Sequence, residues 1–106
     1  MQSTHRKRLE RAGWKVGAAE EFLGLSREES ELIEVKLALG RLLRRSREKQ
    51  LLTQAALAAR LGSSQSRVAK LETGTRGVTL DLLFRALYAT GATTETILRE
   101  MKKRAA

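Results

Sequence analysis

The chain has 106 residues and contains no cysteine and no proline; its one histidine is His5 and its one aspartate is Asp81. Without thiols there is no disulfide framework, no cysteine zinc site and no sulfur nucleophile, a composition compatible with a reducing cytoplasm. No apolar run approaches the ~20 residues of a membrane span, and no hydrophobic stretch follows the N-terminal charges, so the expected location is cytoplasmic, with neither export nor insertion. His5 lies in a basic tail, and Asp81 near a helix start is explained by the helix dipole. No nucleophile–base pair or ligand cluster can be assembled from what remains. The expectation is therefore that the protein is not an enzyme and has no metal or cofactor.

Acidic residues are also scarce where it matters. The formal net charge is +9. Between Lys36 and Arg76 stand ten lysines and arginines against Glu48 and Glu72 alone, a net of +8 in 41 residues. So local an excess is the electrostatic footprint of a polyanion binder.

About 100 residues suffice for one domain with a working core. Residues 1–12 are polar and basic with no sustained apolar period, which suggests a frayed tail or a short helix. Gly13 to Gly17, GWKVG, has the alternation of a short strand, and Ala18 to Leu23 could form a turn or two of helix ending at Gly24. Ser26 with Glu29 three residues on is a capping box, the start of a long helix reaching about Lys49. Leu32, Val35, Leu39, Leu42 and Leu43 recur at helical spacing and are expected to face the core. Thr53, Ser64 and Thr79 are placed to cap three further helices, with hydrophobic staples at Leu52/Leu57 and Val78/Leu83. Thr93 or Thr94 would cap a last one, with Ile97, Leu98 and Met101 as its apolar side. The expected fold is all-α, with five helices and short connections: an N-terminal extension over 1–25 and a helical domain over 26–106.

Residues 53–74 carry the functional signal. Leu57, Ala58 and Leu61 form the inward face of one short helix, and Val68 and Leu71 that of the next. Ala58 is small where the helices must approach closely, and Gly62 permits the φ > 0 that a sharp turn requires. Two helices crossing across a three- or four-residue turn make the helix-turn-helix unit, which presents its second helix to the major groove of DNA.

Thr53-Gln54, Leu57-Ala58, Gly62, Ser64-Gln65, Val68, Leu71-Glu72 and Gly74 stand at the offsets of the Xre and phage-repressor proteins, and the stretch from Leu39 to about Leu98 resembles that lambda-repressor-like family. The resemblance implies a DNA-binding set of Gln54, Ser64, Gln65, Ser66, Arg67, Lys70 and Arg76. Gln54 would hold a phosphate at a helix N-terminus. Gln65 would read a base edge, with Ser66 and Lys70 beside it in the groove. Arg67 would grip phosphate, and Arg76 would reach backbone or a narrow minor groove. Arg47 and Glu72 match a pair that bridges the first helix to the end of the recognition helix, a scaffold role. Ser63, apolar in many relatives, and the small Ala69 depart from the pattern.

The N-terminal GWKVG and EFLGLS segments resemble the extension of HigA-type antitoxins, which neutralise a HigB/RelE-like mRNA endonuclease toxin and repress their own operon. That resemblance implies a partner-binding surface at Trp14, Val16, Phe22 and Leu23; these side chains would equally serve as an apolar cover on the core. The expected function is a sequence-specific regulator of double-stranded DNA, a homodimer on its operator that doubles as an antitoxin. The alternative is a stand-alone repressor with no toxin partner.

Overall fold

The computed structural model describes residues 24, 26–74 and 77–103. The strand at GWKVG, the short helix at 18–23 and the tail at 1–12 lie outside the described residues. Among those described there are five α-helices and no strand: α1 Arg27–Lys49, α2 Gln54–Leu61, α3 Gln65–Thr73, α4 Leu80–Ala89 and α5 Thr94–Lys103. None is long and apolar enough to cross a membrane. The chain divides into two compact units, residues 1–34 and 35–106.

In the first unit, the start of α1 is the reciprocal capping box. The Glu29 backbone N–H donates to Ser26 Oγ at 3.1 Å, and the Ser26 N–H donates to Glu29 Oε1 at 2.9 Å. These bonds occupy two of the four amides that a helix start leaves without partners. The Ser26 backbone N–H, and then its side chain, hold the Glu29 carboxyl below its ordinary range.

The second unit contains the core. Leu39 and Leu43 of α1, Leu57 of α2, Val68 of α3, Leu83 and Leu87 of α4 and Ile97 of α5 are all fully buried. Each such side chain contributes about 1.5–3 kcal/mol of transfer free energy, so every helix is held chiefly by its apolar stripe. Two leucines depart from the expected stripe. Leu32 is 42% exposed: the α1 stripe becomes partly buried at Val35 and fully buried only from Leu39. Leu98 is 54% exposed because it lies about 100° around α5 from Ile97, whose inward position is shared by Met101 four residues on.

Helix starts follow local chemistry. Thr53 Oγ1 accepts from Ala56 N at 3.0 Å, Ser64 Oγ from Arg67 N at 3.2 Å, and Thr79 Oγ1 from Leu82 N at 3.2 Å. For α5 the cap is Thr93, whose Oγ1 accepts from Thr96 N at 3.1 Å. Helix ends are less uniform. α2 closes with Ser63 N donating to Ala58 O and with Gly62 at φ 63°. α1 closes with the same six-to-one bond, Leu52 N to Arg47 O, yet its left-handed position holds Leu51 at φ 60° and 91% exposed. A leucine there costs about 1–2 kcal/mol relative to an ordinary helical conformation.

Candidate nucleic-acid interface

α2 and α3 pack through Leu57 and Ala58 on one side and Val68 and Leu71 on the other, all buried. Their turn is Gly62 followed by the partly buried Ser63 and the exposed cap Ser64. With Val68 and Leu71 anchored, the opposite side of α3 faces solvent: Gln65, Ser66, Arg67 and Lys70 are all exposed. Ser66 and Lys70 are one turn apart on that side, and Lys70 takes part in a further interaction. A groove of about 240 Å³ borders them, lined by Ser66, Arg67, Lys70, Gly77, Val78 and Leu82 among others. The segment that returns the chain from α3 thus forms its far wall. Arg76 lies outside the described residues, as do Trp14, Val16, Phe22 and Leu23.

The C-terminal half of α3 is held by a buried ion pair. Arg47 Nη2 donates to Glu72 Oε1 at 3.2 Å while Nε donates to Glu72 Oε2, a two-point geometry. Arg47 Nη1 also donates to Leu52 O at 2.7 Å, so the guanidinium closes the end of α1 as well. The hydrogen bonds to Glu72 raise the Arg47 pKa above its already high ordinary value, against the opposing effect of burial. The scaffold position implied by the family resemblance is where the structure puts this pair.

Gln54, half-buried at the first position of α2, extends the pair toward the surface. Its Nε2 donates to Glu72 Oε1 at 3.0 Å, and its Oε1 accepts from Gln65 Nε2 at 2.6 Å. Arg47, Glu72, Gln54 and Gln65 therefore form one continuous chain of hydrogen bonds from the interior to the exposed face of α3. Gln54 and Gln65 were singled out in the sequence as separate contacts; the structure couples them.

Sequence reasoning passed over Gly40. A Cβ built there would stand 2.7 Å from the backbone oxygens of both Leu71 and Glu72. α1 and the end of α3 meet backbone to backbone, and only a missing side chain allows it. A glycine in the middle of a helix of otherwise strong formers was the available signal, since it costs about 1 kcal/mol there unless packing requires it. Two further ties were also missed. Gln50 Nε2 donates to Thr90 O at 2.6 Å, and Arg45 pairs with Glu100 at 2.8 Å.

The profile of the family described as helix-turn-helix domain matches residues 38–104, well over half of the chain. The chain belongs to the helix-turn-helix domain family. No curated protein and no solved structure matches it significantly. Family membership and the exposed polar side of α3 make DNA the ligand class of this helix-turn-helix protein. Among the described residues no cluster of three or more His, Cys, Asp or Glu could hold a metal ion.

Proposed function

We propose that this protein is a sequence-specific transcriptional regulator that occupies double-stranded operator DNA by laying α3 in the major groove. The observation that carries the reading is the division of α3: Val68, Leu71 and Glu72 are buried, while Gln65, Ser66, Arg67 and Lys70 are exposed in its N-terminal two turns. Recognition helices contact base edges with just that end. In this reading Gln65 pairs with an adenine edge, Ser66 and Lys70 flank it, and Arg67 grips phosphate. Ser64 caps the helix and sets its entry angle. Gln54 and the N-terminal amides of α2 receive a phosphate, where the helix dipole favours negative charge. Arg76 reaches the backbone from the loop after α3. One recognition helix covers few base pairs, so the protein acts as a homodimer on half-sites about 34 Å apart.

The test is duplex binding measured at several salt concentrations, joined to selection from a random duplex library. A steep fall of affinity with salt and recovery of a two-fold symmetric motif are expected. A flat salt dependence would remove the DNA reading. The antitoxin activity implied by the N-terminal resemblance is a second reading, carried by the sequence of Trp14, Val16, Phe22 and Leu23. Its test is rescue of growth from a co-expressed HigB/RelE-like toxin, with Trp14→Ala and Phe22→Ala impairing rescue more than operator binding. Loss of residues 1–24 without loss of rescue would end it.

A further inference from the structure

Among the described residues Leu51 alone is left-handed without being glycine, at φ 60°, and it also has their most exposed large apolar side chain, at 91%. Exposure by itself would mean little, since single apolar side chains are common on protein surfaces. The backbone gives it weight. A side chain at positive φ is strained where glycine is not, and asparagine or aspartate can offset the strain with a local hydrogen bond that leucine cannot make. Nothing in the fold asks for a side chain here. The turn is pinned by its neighbours: Leu51 N–H donates to Glu48 O at 2.9 Å, Leu52 N–H to Arg47 O at 3.1 Å, and Arg47 Nη1 to Leu52 O at 2.7 Å. Glycine would follow the same path without strain and without an apolar group in water. Strain that no internal contact offsets points to an external one.

The place of Leu51 selects that contact. It stands three residues before Gln54, the first residue of α2, so the two Cα atoms lie within about 11 Å of each other. The chain enters α2 from its N-terminal side, and a phosphate that meets the free amides of the first turn must sit on that same side. If α3 lies in the major groove, the DNA backbone therefore passes the corner that carries Leu51. Between successive phosphates of that backbone lies deoxyribose, whose exposed edge is largely C–H surface. A branched apolar side chain held in a fixed direction beside the phosphate gains from covering the sugar and from no charged group.

Resting on the reading of α3 as the recognition helix, we propose that Leu51 is a DNA-contact residue that packs on a deoxyribose next to the phosphate received by α2. The contact is apolar and independent of sequence, because every nucleotide carries the sugar. The left-handed backbone aims the side chain away from the core and toward the strand.

The whole chain is tested as wild type, Leu51→Ala, Leu51→Gly and Leu51→Met, by thermal unfolding and by affinity across a salt series for a selected operator duplex and a random one. Leu51→Ala keeps the β-carbon and the left-handed strain but loses the apolar tip. Its affinity for both duplexes should fall about fivefold, with the thermal midpoint close to wild type. The slope of log affinity against log salt should keep its wild-type value, because an apolar contact releases no counterions. Leu51→Gly should lose the same affinity while its thermal midpoint rises, so that binding and stability move in opposite directions. A residue kept only for the fold cannot give that result. Leu51→Met restores an apolar side chain of similar volume and should bind as wild type does. If Leu51→Ala and Leu51→Gly bind both duplexes as tightly as wild type, Leu51 touches no DNA and the proposal is overturned, with the reading of α3 intact. If wild type itself binds no duplex, the DNA reading fails and this contact fails with it.

Discussion

The two faces of α3 obey opposite rules although they share nine residues. The inner face is closed: Val68 and Leu71 are packed, Glu72 is paired with Arg47, and the backbone at Leu71 and Glu72 lies against Gly40 with no room for a methyl group. The outer face is open and polar, with Gln65, Ser66, Arg67 and Lys70 exposed to solvent. Substitutions inside should act on stability and carry binding with them; those outside should change binding and leave stability nearly alone. The difference shows how a small domain aims flexible side chains. Close packing is concentrated on the side that touches nothing but protein, and the exposed side inherits its position from it.

The largest effect is expected where the inner face loses a charge partner. Arg47→Ala strands Glu72, 8% exposed, without its cation and should cost about 3–5 kcal/mol, read as a fall in the denaturant midpoint. An unchanged midpoint would mean that the pair is not buried in solution. Next comes Gly40→Ala. Alanine gains about 1 kcal/mol of helix propensity over glycine. The methyl group, however, would meet two backbone oxygens at 2.7 Å that cannot rotate aside, so an overpacking cost of about 1–3 kcal/mol prevails. Duplex affinity should fall with stability, since the end of α3 must move. Stabilisation by this change would show that the two helices can separate freely.

On the outer face Arg67→Ala should leave thermal unfolding within experimental scatter. It should lower the slope of log affinity against log salt by about 0.9, equally for operator and random duplex. Gln65→Ala should differ in kind, costing about 1–3 kcal/mol at the operator and little on random DNA. Should the two variants behave alike, base reading and phosphate gripping are not divided as proposed.

The smallest effect lies far from α3. Glu29 has a carboxyl lowered in the folded chain by its bonds with Ser26. A lowered folded-state pKa means that its contribution is present above the unfolded value and lost as pH falls through the folded one. Protection from amide exchange at the first turn of α1, measured relative to the intrinsic rate at each pH, should therefore fall on acidification through that range, while protection in α3 does not follow. A pH-independent first turn would show that the capping box adds nothing.

Much of this was legible in the sequence because it is local. Thr53, Ser64 and Thr79 cap helices by reaching an amide three residues away, and Gly62 turns the chain by its own backbone freedom. The positions of Leu57, Ala58, Val68 and Leu71 follow from helical period. The same period misled at Leu98, where an apolar residue one step beyond a buried one was counted with it, and at Leu32, which shares the α1 stripe but not the core. Leu51 carries no local signal for a left-handed position, which glycine normally occupies.

By itself, then, the sequence determined the five helices, their caps and turn, the concentration of positive charge around them and the side chains offered on α3. Each of these depends on residues within about a turn of one another, or on simple counting. Only the tertiary structure decided that Gly40 is a contact point, and that Glu72, Gln54 and Gln65 form one hydrogen-bonded line from the buried Arg47 to the surface. The bonded partners are 11 to 25 residues apart along the chain, as the pairs 54–65 and 47–72 show, and Gly40 meets Glu72 across 32. No local rule links residues so separated; they meet because burying the leucine stripes of α1, α2 and α3 in one core leaves a single arrangement in which the buried charges are also paired.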